Sequence, residues 1–334
     1  MKKMFVLLLS LLLIAGCSKN NEEKLIKKFQ DNVNSSKSYK LEGSLEILND
    51  EDKYNYAIEV GYKKKDLYKV KLTNTINNHE QIILKNEEGV YVITPSLNKS
   101  FKFQSEWPNN SSQAYLLSSI LNDINTTENK NYKESQDEIT IETNVNYPNN
   151  PDLTYQKLYF DKEYNLKKNE VYNENNQLRI KFVLSNIDYK ANLDDNYFKV
   201  ENNIDSNCCN TDSQTTSNVL NEIIYPLYIP SDTYLTTKET IATDTGNRAI
   251  LTFAGSKEFV LIEEPTIANT DFETIPVYGE PIMMNGNIAA LSGNSLYWTN
   301  NNIDYYLAGN ELSTEELLSV ASSISNTIVT SVGK

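Results

Sequence analysis

Residues 86–117 read NEEGVYVITPSLNKSFKFQSEWPNNSSQAYLL and hold several structural signals in succession. A run of β-branched and aromatic residues at 90–94 is typical of a strand. Residues 95–98, Pro-Ser-Leu-Asn, break this strand, and residues 100–104 form a second one in which two phenylalanines share a face. Two strands joined by so short a break predict an antiparallel hairpin.

The same stretch predicts a helix after the hairpin. Residues 107–110, Trp-Pro-Asn-Asn, end the second strand, and Ser111 or Ser112 is a suitable N-cap for a helix that runs to about residue 124. A hairpin that leads into a helix with a tryptophan at its entry can cover one face of a sheet. We therefore predict that the N-terminal half of the chain is a sheet organised around residues 86–117.

The N-terminus predicts a lipid anchor. A basic start and an apolar run at residues 5–14 make a signal sequence, because a transmembrane helix needs roughly 20 apolar residues. The run ends at residues 13–17, Leu-Ile-Ala-Gly-Cys, which resembles a bacterial lipobox. The resemblance implies cleavage before Cys17 and attachment of acyl chains such as palmitate to it. Residues 1–16 are then a signal peptide, and residues 17–23 are a lipidated tether.

Charge excludes one class of partner. The chain carries 31 basic and 45 acidic side chains, a net charge of −14, and from Thr211 onward 4 basic residues stand against 15 acidic ones. An acidic surface repels the phosphates of nucleic acid and the headgroups of anionic lipid. We therefore expect no nucleic-acid partner, and we expect membrane attachment to come from the lipid on Cys17.

The N-terminal half predicts a sheet with few helices. Residues 22–33 predict a helix, because Leu25, Phe29 and Val33 recur at helical spacing. After residue 38 the period changes to two, and about ten alternating runs follow with short turns, which makes neighbouring strands antiparallel. This pattern predicts an α+β fold with one large, strongly bent sheet or open barrel, with an apolar cavity between sheet and helices.

The domain boundaries follow from composition. Residues 24–201 are predicted to form the large domain, residues 202–217 a polar linker, and residues 218–334 a smaller C-terminal α+β domain. Its strands are expected at residues 248–254, 258–263, 280–282, 288–291, 295–299 and 303–307. A Ser-x-x-Glu capping box at residues 313–316 predicts the start of the last helix. Residues 300–302, Asn-Asn-Asn, predict a hairpin turn.

Catalytic groups are scarce in this chain. The single histidine, His79, starts a strand, and its sequence neighbours supply no nucleophile and no orienting acid, so a surface role is expected. Glu263 and Glu264 point to opposite faces of a strand, which favours solvated charges over an acid–base pair. Cys208 and Cys209 are adjacent, and adjacent cysteines are poor disulfide partners. The sequence predicts no catalytic residue, no metal site and no cofactor.

The chain is rich in tyrosine, with 22 residues. On the strand at residues 54–62 the rings share one face, and β-propensity with half-burial is the simplest explanation. The alternative is a groove that takes an acyl chain or a peptide of a partner. Phe101, Phe103, Trp107 and Tyr115 are the residues expected at the edge of such a groove.

Several segments together resemble a known group of proteins. They are the lipobox, the first helix, the Ser-Tyr entry to the first strand, residues 86–117, PLYIPSDT, AILTFAGSKEFVLIEE and the Ser-Thr-Glu-Glu-Leu helix start. They resemble firmicute sporulation and germination lipoproteins of the outer-membrane lipoprotein carrier superfamily, over nearly all of the mature chain. The resemblance implies a LolA-like half-barrel of antiparallel strands with helices on its concave face, and a non-enzymatic role.

The resemblance also sets the expected function. It implies a lipoprotein on the extracytoplasmic face of the cell membrane, or in the forespore or spore envelope, that binds a lipidic ligand or an envelope protein such as a cortex amidase. The chain also resembles periplasmic regulators of anti-sigma factors, which makes an envelope-stress sensor the alternative. A carrier of lipoproteins or lipids is a further alternative, although a lipid-anchored chain does not shuttle freely. An envelope hydrolase is disfavoured by the missing catalytic motifs.

Overall fold

The computed structural model describes residues 21–49, 53–109, 111–204, 223–243, 246–266, 272–284 and 286–324. Predictions that fall on the signal peptide, on Cys17, on Cys208 and Cys209, and on most of the linker at 202–217 lie outside these residues. None of the described helices has the length and apolar character that a bilayer crossing requires.

The described chain is mostly β-structure. The helices are α1 (residues 21–35), α2 (Leu117–Thr126) and α3 (Thr314–Ser322). The strands are β1 (Ser38–Leu48), β2 (Lys53–Lys63), β3 (Leu67–Asn74), β4 (Glu80–Asn86), β5 (Gly89–Thr94), β6 (Lys99–Phe103), β7 (Asn131–Glu134), β8 (Ile139–Asn144), β9 (Leu153–Phe160), β10 (Leu166–Asn173), β11 (Leu178–Asp188), β12 (Thr233–Thr243), β13 (Gly246–Gly255), β14 (Phe259–Pro265), β15 (Glu273–Val277), β16 (Glu280–Met284), β17 (Asn287–Ser292), β18 (Ser295–Asn300) and β19 (Ile303–Ala308).

The chain divides into two compact units. Unit 1 holds the described residues up to Asn78 together with Pro108–Tyr197, and unit 2 holds His79–Trp107 together with the described residues from Phe198 onward. The predicted domain boundary at residue 201 lies close to the second of these divisions. The segment at residues 79–107, which the sequence placed in the first domain, groups with unit 2.

Unit 1 is built on one antiparallel sheet with the strand order β3-β2-β1-β11-β10-β9-β8-β7. Along β9 the side chains at 156, 158 and 160 are buried and those at 155, 157 and 159 are half-buried. Since side chains alternate between the faces of a strand, one face of the sheet is covered and the other meets water. A bulge in the pairing of β1 with β11, beside Gly43, shifts the register there; the carbonyl oxygen of Val183 leaves no room for a Cβ on Gly43.

Both helices of unit 1 lie on the covered face. In α1 the buried residues Leu25, Phe29 and Val33 form one stripe, and the ring of Phe29 meets the ring of Phe160 edge-on with centroids 5.7 Å apart. In α2, Asp123 accepts a hydrogen bond from Gln156. Gln156 and Phe160 share a face of β9, so the two helices cover the same side of the sheet.

The first part of unit 2 contains the predicted hairpin. β5 pairs with β6 in antiparallel register, and a short 3-10 turn at Pro95–Leu97 joins them, with Asn98 in the left-handed conformation at φ 49°. The sheet order is β15-β6-β5-β4, with β15 parallel to β6. Trp107 is buried in the turn that follows β6. The hairpin predicted from residues 86–117 is confirmed.

A second antiparallel sheet forms the rest of unit 2, with the order β12-β13-β14-β19-β18-β17-β16. Asn301 and Asn302 both have positive φ between β18 and β19, which is the turn geometry that matches strand twist. α3 begins at the capping box of Ser313 with Glu316 and buries Leu317 among its core contacts. The turn and the capping box predicted from sequence are confirmed.

The predicted fold class is confirmed as a mostly antiparallel α+β architecture with few helices and a second sheet towards the C-terminus. The predicted helix cap is wrong. α2 begins at Leu117, its N-cap residue is Leu116, and no side chain caps it. Ser112 is buried, and its hydroxyl donates to Asp123 rather than accepting from the helix start. The Ser112 hydroxyl bonds to the buried carboxyl group of Asp123 instead of to the backbone N–H groups at the start of the helix.

Candidate functional site

A row of three tyrosines crosses the helix-facing side of unit 1. The antiparallel register places Tyr39 of β1 opposite Tyr62 of β2, and Tyr62 opposite Tyr68 of β3. The rings of Tyr39 and Tyr62 stack with centroids 4.9 Å apart, and those of Tyr62 and Tyr68 are tilted at 5.0 Å. The Tyr68 hydroxyl lies 3.0 Å from the hydroxyl of Ser118, so α2 reaches as far as β3.

An apolar strip continues from this row along the same face. Its side chains are buried and come from β1, β2 and β3: Leu41, Leu45, Ile58, Val60, Val70 and Leu72. The strip ends at Tyr56, which stands opposite Leu45. Tyr56 and Tyr62 are six residues apart on β2, so the strip is roughly 20 Å long at about 3.4 Å per residue. An aromatic hydroxyl therefore stands at each end of an apolar surface.

The two end hydroxyls are buried without a hydrogen bond. Tyr39 is 1% exposed and Tyr56 is 4% exposed, and neither hydroxyl has a partner among the described residues. Burial raises the pKa of both groups, that of Tyr39 well above its ordinary value. The backbone of Leu117 lies close enough to lower the pKa of Tyr39 slightly, yet it makes no hydrogen bond of normal geometry. A buried hydroxyl without a hydrogen bond lowers the stability of the folded protein, and a ligand that bonds to it removes this penalty.

A buried polar network fixes α2 to the sheet beyond the strip. Ser112 Oγ donates to Asp123 Oδ1 over 2.9 Å, and Gln156 Nε2 donates to Asp123 Oδ2 over 3.0 Å. Asn169 Nδ2 donates to Gln156 Oε1 over 2.6 Å and to the carbonyl oxygen of Ala114 over 3.0 Å. The segment before α2, the helix itself, β9 and β10 are thus joined by one set of bonds.

The carboxyl group of Asp123 is the centre of this network. Burial raises its pKa to about 7, and the bonds from Ser112 and Gln156 lower it by less. A group with that pKa gains or loses a proton near neutral pH. Gln156 also donates to the hydroxyl of Thr143 over 3.1 Å, and Asn146 donates its backbone N–H to Ser112 Oγ over 2.8 Å. The network can position a helix, and its two hydroxyls, on Ser112 and Thr143, are buried.

The opposite face of the same sheet is a solvated charge ladder. The strand register aligns residues of alternating sign across five strands: Glu46, Lys181, Glu170, Lys157 and Glu142. Lys181 Nζ lies 3.4 Å from Glu46, and Lys168 Nζ lies 2.7 Å from Glu170. Glu170 is buried and the other four side chains are half-exposed. Half-exposed pairs contribute little stability each, and they explain the polar half of each strand without a ligand.

The four predicted groove residues are all buried. Phe101, Phe103 and Trp107 belong to unit 2, and Tyr115 belongs to unit 1, with exposed fractions between 2% and 6%. Phe101 packs against Tyr297, with ring centroids 4.9 Å apart. A groove edged by these residues stays a prediction.

Two expectations about charged residues have different outcomes. Glu263 is fully buried, so the prediction that it is a solvated charge is wrong, whereas Glu264 on the opposite face pairs with Arg248 at 2.7 Å. Glu263 lies inward because its strand packs its odd positions against the core.

His79 is half-buried just before β4, and burial lowers its pKa. The described residues contain no cluster of His, Cys, Asp and Glu side chains that could hold a metal ion.

Sequence reasoning missed the residues that make this site. Asp123 stands between Ile120 and Ile124 on the apolar stripe of α2, and a charged residue in such a position is the signal that was available. Its partner Gln156 is 33 residues away. No spacing rule connects them, because the contact exists only once α2 packs on the sheet.

The fold and the site define a class of protein: mostly antiparallel sheet with few helices, in which one covered face of a sheet carries an apolar aromatic strip. The chain matches the family model for the sporulation protein YdcC-like family over residues 1–198 and belongs to that family. Sporulation protein YdcC of Bacillus subtilis (strain 168) is 31% identical over 328 residues, which is 97% of each chain. The sporulation family expected from the sequence is confirmed.

Solved structures give more distant similarities. The MucA/MucB complex of Pseudomonas aeruginosa aligns with a TM-score of 0.31 at 11% identity, over 90% of this chain and 96% of that one. The CwlD amidase of Clostridioides difficile in complex with the GerS lipoprotein aligns at 0.31 and 21% identity, over 50% and 95%. The LolA superfamily protein NE2245 of Nitrosomonas europaea aligns at 0.32 and 13%, over 54% and 97%.

Proposed function

We propose that this member of the sporulation family is a membrane-anchored, non-enzymatic lipoprotein of the cell or spore envelope. It binds a lipidic ligand or a partner protein on the helix-facing side of the sheet of unit 1. The observation that carries the proposal is the apolar strip with an unpaired, buried hydroxyl at each end, on Tyr39 and Tyr56. An apolar surface with polar ends matches an amphiphile.

The binding mode follows from the contacts of α2. The side chains of the strip are buried, so a ligand enters when α2 moves away from β3 and breaks the contact between Ser118 and Tyr68. The acyl part then lies along Val60 and its neighbours, and a polar end accepts or donates a hydrogen bond at Tyr39 or Tyr56. Each new hydrogen bond removes the cost of a buried, unpaired hydroxyl.

The full chain with Cys17→Ser, purified from its own cells and analysed by native mass spectrometry, tests this binding. We expect a co-purifying amphiphile that is lost in Tyr39→Phe and Tyr56→Phe. Tyr155→Phe is the matched control, because its hydroxyl lies on the water-facing side of the same sheet and donates to Asn176. An envelope protein such as a cortex amidase, bound in equal amount without lipid, would establish the protein ligand instead. Neither a lipid nor a protein would overturn the proposal.

The membrane anchor has a separate test. Metabolic labelling with a palmitate analogue should mark the wild-type chain and leave Cys17→Ser unmarked, and the substituted chain should leave the membrane fraction. A Cys208→Ser, Cys209→Ser chain is the control for labelling at other cysteines. Label retained after Cys17→Ser would remove the anchor from the proposal.

A further inference from the structure

Strand β12 is an unusually open edge. It contains eleven residues, Thr233–Thr243, ends the second sheet of unit 2, and pairs only with β13 among the described strands. None of its residues is buried, and nine of the eleven are exposed. The strand therefore presents a row of backbone N–H and C=O groups that no described strand satisfies on its outer side.

Three other edge strands, β7, β15 and β16, are protected in familiar ways. β7 has four residues and includes Lys133 and Glu134. β15 and β16 have five residues each and include Pro276 and Pro281. Short length, charge and proline all discourage pairing with another chain. β12 has no proline, and its single irregularity lies between Leu235 and Thr237, which leaves the half from Thr237 onward regular.

Exposed apolar side chains concentrate in β12 and in the segment that precedes it. Of the ten large apolar side chains that are strongly exposed in the described residues, seven lie between Tyr225 and Ile241. They are Tyr225, Leu227, Tyr228, Ile229, Tyr234, Leu235 and Ile241. Three of them lie on β12 itself and four lie in the segment that precedes it, which makes this part of the chain a candidate interaction surface.

Charge decides what the partner is. From Thr211 onward the chain has 4 basic and 15 acidic residues, so this part of the protein attracts a basic partner. The register of β12 with β13 places Glu239 and Ile241 on the same face, opposite Ile250 and Arg248. A strand added to β12 therefore meets a carboxylate and an apolar side chain two residues apart.

A second copy of this chain fits the edge poorly. In a two-fold antiparallel pair, the residue at the axis stands opposite its own copy, because paired residues share a face. The longest overlap of β12 with itself is centred on Lys238 and opposes two ammonium groups. Moving the centre to Glu239 opposes two carboxylates. A centre on Thr240, the middle of the regular half, opposes no like charges, so there the net charge is what disfavours pairing. The net acidity of both copies adds repulsion.

We propose that β12 is a docking edge for an extended segment of a basic partner protein. The segment adds to the second sheet as a further strand through main-chain hydrogen bonds. It presents a Lys or Arg side chain opposite Glu239 and an apolar side chain opposite Ile241, and the exposed residues from Tyr225 to Ile229 enlarge the contact. This site lies in unit 2 and is separate from the strip in unit 1.

Short synthetic peptides and the full Cys17→Ser chain test the edge. The basic probe has Thr at odd positions and alternating Lys and Val at even positions, and the acidic probe has Glu in place of Lys. We expect the basic probe to bind at least tenfold more tightly at low salt. Amide hydrogen exchange should slow at alternate residues of β12, because every second N–H of an edge strand points outward.

Two further comparisons separate strand addition from general charge attraction. N-methylation at alternate residues of the basic probe should abolish binding in one of the two methylated versions and spare the other, because only one set of amides faces β12. Glu239→Lys should weaken binding roughly tenfold. Glu311→Lys, an exposed residue outside the strand with the same change in charge, should weaken it far less.

The proposal has clear contrary outcomes. Equal binding of both probes, unchanged exchange at β12, or equal effects of Glu239→Lys and Glu311→Lys would overturn it. A dimer detected by sedimentation that disappears in Glu239→Lys or Ile241→Asp would also overturn it, in favour of a second copy as occupant.

Discussion

Two buried carboxyl groups, one in each unit, share a raised pKa but differ in their hydrogen bonds. Asp123 in unit 1 accepts from the side chains of Ser112 and Gln156 with both oxygens. Glu263 in unit 2 accepts from the backbone N–H of Ile224 over 3.0 Å, and its Oε1 has no partner among the described residues. Burial raises the pKa of each to about 7.

The difference shows two uses of a buried acid. Asp123 joins a helix to β9 and to the segment that precedes the helix, so its removal leaves two donors buried without an acceptor. Glu263 accepts a hydrogen bond from one backbone amide, at the start of the segment that leads to β12. Its Oε1 is buried without a partner among the described residues, which lowers the stability of the folded state. The number of partners left behind, rather than burial, should therefore decide the effect of substitution.

The largest expected effect is at Asp123. Asp123→Ala should destabilise unit 1 by about 3 kcal/mol, because Ser112 and Gln156 lose their acceptor in a buried site. Amide hydrogen exchange of β9 and β10 measures this loss locally. Asp137→Ala, an exposed residue of the same unit, is the control and should change exchange little. A loss below about 1 kcal/mol, near the ordinary value for one hydrogen bond, would refute the network as an organising feature.

The next effect is the dependence of stability on pH. A carboxyl group whose folded pKa lies near 7 keeps its proton in the native state while the unfolded chain ionises, so the free energy of unfolding falls as pH rises from about 4 to about 7. Each group should contribute on the order of 3 kcal/mol over this range, because one pKa unit corresponds to about 1.4 kcal/mol. Above pH 7 its contribution should be constant.

The two acids can be separated by fluorescence. Both tryptophans of the chain, Trp107 and Trp298, belong to unit 2. Glu263→Gln should flatten the pH dependence of denaturation followed by tryptophan emission. Asp123→Asn should leave the pH dependence of that signal unchanged. It should instead reduce the pH dependence of the stability that amide exchange of β9 measures. If Asp123→Asn flattened the tryptophan signal equally, the two acids would not act on separate units.

A smaller effect is expected at Glu263 itself. Glu263→Ala should destabilise unit 2 by about 1.5 kcal/mol at pH 5, because only the Ile224 amide loses its acceptor and the unpaired oxygen is removed at the same time. Tryptophan emission during urea denaturation measures the change. Glu264→Ala is the adjacent control, and the loss of its half-exposed pair with Arg248 should cost less than 1 kcal/mol. An effect as large as that of Asp123→Ala would contradict the comparison.

The same two acids show what the sequence could and could not predict. Apolar and polar residues alternate in a strand that buries one face. This alternation therefore predicted strands such as β13, β14 and β19. It missed β12, whose run Thr-Tyr-Leu-Thr-Thr-Lys-Glu-Thr-Ile-Ala-Thr buries no side chain. Local rules predicted the cap at Ser313, because its partner is three residues away. They failed at Ser112, because its partner Asp123 depends on the packing of α2 over Gln156.

The smallest expected effect extends the comparison to neutral groups. Tyr68→Phe should destabilise unit 1 by about 1 kcal/mol, because the hydroxyl of Ser118 loses its partner. Tyr39→Phe should be neutral or slightly stabilising, because its hydroxyl is buried without a hydrogen bond. Exchange of β2 amides, which lie between the two rings, measures both variants in the ligand-free chain. A clear loss of stability in Tyr39→Phe would mean that its hydroxyl already has a partner in the free protein, and the strip would lose one of the two polar ends that make it fit an amphiphile.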